Sequence, residues 1–319
     1  MNIFICIIAF LKNAIYGSSV FFTSTLTENA DVLDVLALRF LMSFVVLWCL
    51  KKTKILKINV GIADLTKKNS RAGIGSILLA ALFEPVIYIM FETLGISMTT
   101  GITTAVILSL APITNCIFEV VFLKEKTTPL QILFLLMGIV GVLYIAAKTN
   151  TSNGNNSVAG IVFLLIAVVS GSLYMVFSRK CRNNFNCWEI TYVACILGMF
   201  VFNIINIARH LYMGNIMEYF NPYFSWQNMI GFVFLSIIST IVATSMNNYA
   251  LARMQLSSMA AFGGVTTFVT VLIGVLFFNE RLYYYHIIGF TLILIRMVGV
   301  NYISIKKEKE KIDKQRNFS

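Results

Sequence analysis

Ten apolar stretches organise this 319-residue chain. They fall at about 3–22, 32–50, 73–94, 101–123 and 129–147, and then at about 159–178, 188–208, 229–250, 256–278 and 284–304. Crossing a bilayer as a helix takes roughly 20 mostly apolar residues. A helix also satisfies its own backbone in lipid, so each stretch predicts one transmembrane helix. The polar positions gather between them. TNTSNGNNS at 149–157 is a loop by composition and parts the ten into five and five. No polar segment much exceeds 20 residues, which leaves no room for a soluble domain.

The two fives repeat one another. PITNCIFEVVFLKEK at 112–126 lies over TFVTVLIGVLFFNER at 267–281 with an offset of 155, which superposes Val120 on Val275, Phe122 on Phe277 and Glu125 on Glu280. VGVLYIAAK at 140–148 matches VGVNYISIK at 298–306 at six positions in nine, and Tyr16-Gly17-Ser18 falls near Ser170-Gly171-Ser172. Five spans per copy is odd, so the second copy enters the membrane upside down. The expected fold class is an all-α integral membrane protein, with ten transmembrane helices arranged as two inverted five-helix repeats. The repeats cover 1–148 and 158–305, an extracytoplasmic linker covers 149–157, and a basic cytosolic tail covers 306–319. Inverted repeats of this kind place a substrate near the midplane and open the site to each face in turn.

Composition agrees with the pattern. The chain is 58% hydrophobic and 12% charged, against about 25% charged residues in soluble domains. With the N-terminus in the cytosol, 19 of the 25 Lys and Arg fall in inside segments, three outside and three within spans. This bias orients the protein with both termini cytosolic, in the plasma membrane. It also accounts for the net charge of +11 as a topology signal, with no nucleic-acid partner. The first stretch lacks a basic n-region and a cleavage site, and Lys12-Asn13 interrupt it, so it is not a signal peptide. The six cysteines show no CxxC pairing and read as small buried hydrophobes. HExxH, Walker and GxSxG motifs are absent, and His210 and His286 have no partner in spacing. The expectation is no enzyme, no metal and no cofactor. The partners expected are a small-molecule substrate and membrane lipid.

Several short motifs carry a resemblance. A glycine after an aromatic in the first span (Tyr16-Gly17), AlaLeuArgPhe at 37–40, SLAP at 109–112 and an acidic residue closing spans 4 and 9 resemble the EamA family of the drug/metabolite transporter superfamily. The resemblance implies a ten-helix carrier with a central cavity lined mainly by spans 1, 3, 4, 6, 8 and 9. Two positions depart from it. Many relatives carry Trp where this chain has Tyr16, and many have a proline where it has Thr266-Thr267.

Charges deep in spans are the strongest pointers to a site, since one at the bilayer centre costs about 2.5–3.5 kcal/mol. Lys12 (span 1), Glu84 (span 3) and Arg296 (span 10) lie nearest the midplane; cavity lining and a buried structural ion pair both fit them. Lys12 and Glu84 stand at the same height, and their mutual pairing is the expected arrangement. Arg39, Glu92 and Glu119 lie nearer helix ends, where long side chains can reach the interface. Pro85 and Pro112 each predict a kink or hinge, and Tyr88 follows Glu84 on one face. Asn247, Asn248 and Tyr249 fit either substrate contact or helix capping. Tyr16, Tyr88 and Tyr174 are the aromatics whose helix and depth fit a cavity wall. The candidate substrate or coupling residues are therefore Lys12, Tyr16, Glu84, Tyr88, Tyr174 and Asn247. The expected function is secondary transport of a small polar or amphipathic metabolite, such as an amino acid or a related amine or carboxylate, by alternating access. A channel for small solutes is the alternative.

Overall fold

The computed structural model describes residues 3–58, 71–108, 110–123, 128–130, 132–134, 157–181, 184–254, 259 and 262–277, with isolated positions between 136 and 144 and between 284 and 303. Arg296, Glu125, Lys126, Glu280, Arg281, His286, the linker and the basic tail lie outside these residues, as does the side chain of Glu119.

The described residues contain helices and no strand. α1 (Ile3–Asn29) and α2 (Val32–Lys52) form the first two spans. α3 (Arg71–Ala81) and α4 (Tyr88–Ser97) are joined by a π-helical turn, Leu82–Ile87, into the third. α5 (Gly101–Leu108) and α6 (Ala111–Leu123) make the fourth. α7 (Val158–Cys181) and α8 (Cys187–Met213) follow. α9 (Trp226–Val233) and α10 (Thr244–Leu251) flank a ten-residue π segment, Phe234–Ala243. α11 is Gly263–Phe277. Seven of the described spans are long and apolar enough to cross a membrane, and α11 is a shorter apolar helix.

Local chemistry sets the ends. α1 continues seven residues past its apolar stretch, and there Thr25, Thr27 and Asn29 satisfy their side chains on the carbonyls of Phe21, Thr23 and Thr25, each at 3.0 Å. Asp31 caps α2 by accepting from the Leu33 N–H. Asn186 and Glu189 form a reciprocal capping box on α8, whose far end closes on left-handed Gly214.

Packing turns the usual globular distribution inside out. Val45, Trp48, Phe200, Ile204, Leu276 and Phe277 stand on the outer surface, while Lys12, Arg39, Thr191 and Asn206 are buried. This is the arrangement a hydrocarbon solvent favours. Contacts cross between the halves: α4 packs on α7, α2 on α8, and α1 on α11 and on the Phe234–Ala243 segment. Gly17 allows the α1–α11 approach, since a Cβ there would lie 2.7 Å from the Thr266 carbonyl and 2.8 Å from the Val269 Cβ. Phe134 and Gly299, from the fifth and tenth apolar stretches, lie against each other.

Candidate functional site

Pro85 has no N–H to give and displaces the preceding turn, and the third span opens there. Glu84 takes an extended backbone (φ −138°, ψ 116°) inside Leu82–Ile87, and the nearby Phe83 carbonyl accepts the Ser170 hydroxyl of α7 at 2.9 Å. The opening aims Glu84 inward. Pro112 is the second residue of α6, just after the turn residue Leu110, a place where a missing N–H costs nothing.

The opened third span borders a cavity of about 1090 Å³, a volume that includes open solvent at its mouth. Four charged side chains line it: Lys12, Arg39, Glu84 and Glu92. All four come from the first three spans. The second half contributes neutral groups, among them Ser172, Ser239, Thr244, Asn247, Thr266 and Thr270. A second space reaches from Thr270 past Ser24, Thr99 and Thr100 to Glu28 at the far end of α1.

Of the residues the sequence singled out, Lys12, Tyr16, Glu84, Tyr88, Asn247 and Pro112 line this cavity. Pro85 is buried against Gly198 of α8. Tyr174 stands elsewhere. It lies buried behind the wall, donating to Asn248 Oδ1 at 2.6 Å, where Ser178 also donates at 2.7 Å. The two asparagines thus part company: Asn247 faces the cavity and Asn248 ties α7, α8 and α10 together. Neither caps the helix.

The expected Lys12–Glu84 ion pair does not form. Lys12 Nζ donates to Asn247 Oδ1 at 3.0 Å. Arg39 likewise reaches the second half, with Nε 2.9 Å from Thr240 Oγ1 and Nη2 3.5 Å from Ser239 Oγ. The π segment and α10 carry enough oxygen acceptors to hold both cations, so neither needs a carboxylate. Glu92 accepts from the Tyr88 hydroxyl at 2.7 Å, and Tyr16 Oη lies 3.3 Å from Thr244 Oγ1. Among the described residues, no direct hydrogen bond or ion pair reaches the Glu84 carboxylate.

Arg39 and Glu92, which the sequence placed nearer helix ends, also line the cavity, as does Asn115, which sequence reasoning passed over. The signal for Glu92 was present: Glu84, Tyr88 and Glu92 recur every four residues and share a face. His210, read as partnerless, lies with Nε2 2.7 Å from Asp34 Oδ1. Arg209 joins the same cluster, 3.0 Å from Asp31 and 3.6 Å from Asp34. That cluster ties α8 to the start of α2, remote in sequence, and no spacing rule could reveal it.

A many-helix membrane fold around a charged cavity is the architecture of a transport protein. The model for the EamA-like transporter family matches residues 3–147 and again 158–302, and the chain belongs to this family. It is 29% identical over 303 residues to the uncharacterized transporter YcxC of Bacillus subtilis, covering 95% of this chain and 94% of that one. An uncharacterized transporter of Archaeoglobus fulgidus is 24% identical over 227 residues, covering 71% of this chain and 75% of the relative. A solved crystal structure superposes with a TM-score of 0.68 at 15% identity, over 97% of this chain and all of that one, a likeness of fold. The protein is therefore a multi-pass membrane protein of a transporter family.

Proposed function

We propose that the protein is a secondary carrier that moves a small polar or amphipathic metabolite by alternating access, with the charged cavity as its substrate site. The observation that carries this reading is the construction of the cavity: both halves line it, the third span opens beside it at Leu82–Ile87, and the π-helical Phe234–Ala243 segment of the eighth brings Ser239 to its wall. Interrupted helices at a repeat interface are where carriers hold their substrates.

The full architecture is ten spans in two inverted repeats, 1–148 and 158–305, with linker 149–157 outside, both termini and tail 306–319 cytosolic, and the plasma membrane as location. Two findings support it. The family model matches each half separately. Contacts also obey exchange of the halves: span 1 packs on spans 8 and 9, as span 6 packs on spans 3 and 4, and span 2 packs on span 7.

The test begins with thermal stabilisation of the purified protein across a metabolite library, since a ligand of the folded state raises apparent stability. Hits then enter counterflow assays in proteoliposomes. A carrier saturates and shows trans-stimulation. Hits that pass through without either would make the protein a channel.

A further inference from the structure

A second cluster of buried charge stands away from both cavities, where the end of α8 meets the start of α2. His210 and Asp34 are 4% and 9% exposed there. His210 Nε2 lies 2.7 Å from Asp34 Oδ1, an oxygen that also accepts from Asn206 Nδ2 at 2.9 Å. On the other side of the ring, Nδ1 lies 2.9 Å from Asn215 Oδ1 and 3.2 Å from the Asn215 carbonyl. That amide is held in its orientation by its own nitrogen, which donates to Glu218 Oε2 at 3.1 Å. Both ring nitrogens therefore face oxygen acceptors. A neutral imidazole carries one N–H and leaves a bare nitrogen against an oxygen, whereas the imidazolium donates on both sides.

The surrounding charge points the same way. Among the described residues, the titratable and charged groups that face the ring are Asp31 and Asp34 of α2, Arg209 of its own helix, and Glu218 and Tyr219 of the segment after Gly214. Arg209 alone serves both aspartates, at 3.0 Å and 3.6 Å. One negative charge stays in excess until the imidazole is protonated, and Glu218 adds a more exposed one. The ring also stands in the last turn of α8, whose unpaired carbonyls favour a cation. His210 lies beyond the apolar stretch 188–208 and so outside the span proper. There its hydrogen bond to Asp34 holds the imidazole pKa above the ordinary value, against burial, which lowers it.

We propose that His210 is a proton-binding latch: protonated, it ties the end of α8 and the turn at Asn215 to the start of α2, and on losing its proton it lets that joint loosen. At the other end of the same helix pair, Asn186 Nδ2 donates to the Lys57 carbonyl at 2.9 Å, a bond that pH leaves alone. The proton thus acts on one end of the pair. On the proposed topology that end faces outside, and extracytoplasmic pH sets the strength of the latch. The sign follows from linkage. The contribution of the latch to stability is fully present below the unfolded histidine value of about 6.5 and is lost as pH rises through the higher folded value. The latch operates in a carrier and in a channel alike.

The experiment uses the full-length protein in micelles. The chain has 2 histidines, so a His286→Gln background leaves His210 as the one imidazole signal in an NMR titration with isotope-labelled histidine. Its midpoint lies above about 6.5, and Asp34→Asn moves it down toward that value. Hydrogen exchange reads the joint itself. After correction for the intrinsic rate, the amides of 35–38 and 214–219 open about 10-fold more at about pH 9 than at about pH 6, the loss of one hydrogen bond to a charged group. His210→Gln keeps a neutral donor beside Asp34 and shows no such change with pH. Where Asp34→Asn unfolds the protein, the titration of His210 and the exchange of His210→Gln still decide the matter. A midpoint at or below about 6.5, a midpoint unmoved in Asp34→Asn, or the same pH-dependent opening in His210→Gln overturns the latch.

Discussion

Replacing Asn247 with leucine tests how the two halves are held together. The Lys12 ammonium is 3% exposed, and Asn247 Oδ1 at 3.0 Å is the hydrogen-bond acceptor it has among the described residues. Leucine keeps the volume and removes the acceptor. A hydrogen bond to a charged group contributes about 1.5–3 kcal/mol, and a buried ion stripped of its partner costs about 3–5 kcal/mol at the upper end. Asn247→Leu is therefore expected to lower stability by about 2–3 kcal/mol. Lys12→Met should act differently. It leaves Asn247 with an unmet oxygen, yet it also removes the desolvation cost of the cation, so its net change stays within about 1 kcal/mol. The double variant pairs two apolar groups and should recover most of the stability lost in Asn247→Leu, giving a coupling energy of about 1.5–3 kcal/mol. The assay is reversible unfolding in mixed micelles for all four proteins. Additivity of the two single changes to within about 0.5 kcal/mol would falsify the argument, because residues without a shared interaction behave so.

Four further outcomes can be checked. The charge exchange Lys12→Glu with Glu84→Lys should rescue neither folding nor transport beyond the worse single variant, since Lys12 bonds Asn247 and not Glu84; recovery in a thermal-unfolding comparison would restore the direct pair. Gly17→Leu should cost about 1–3 kcal/mol or block folding, because the neighbour it meets is the backbone carbonyl of Thr266. Gly75→Ala, with nothing within 4 Å of the new Cβ, should be neutral or stabilising by up to about 1 kcal/mol in the same unfolding assay. In a cysteine-free background, single cysteines at Asn69 and Asn183 should resist an impermeant thiol reagent in intact cells, while one at Asn155 should be labelled; labelling at Asn69 would reverse the orientation drawn from Lys and Arg.

The sequence alone determined the solvent and much of the frame. Hydropathy needs no knowledge of neighbours, because each span must satisfy the bilayer by itself, and seven described helices of spanning length lie where the apolar stretches do. The cost of a midplane charge is equally local, and so Lys12 and Glu84 could be picked out before any packing was known, as could the opening at Pro85. What the tertiary structure decided is who answers whom. Helix rotation fixes that, and nothing in a near-uniform apolar stretch sets rotation; Tyr174 and Tyr16 were indistinguishable by depth, yet one is sealed against Asn248 and the other faces the cavity. Pairing across 176 residues or more is invisible for the same reason. Lys12 with Asn247, Arg39 with Thr240 and His210 with Asp34 each join helices whose contact exists only after the halves interlock. Charge complementarity pointed Lys12 at Glu84, but packing brought an amide oxygen within reach of the ammonium and left the carboxylate facing open space.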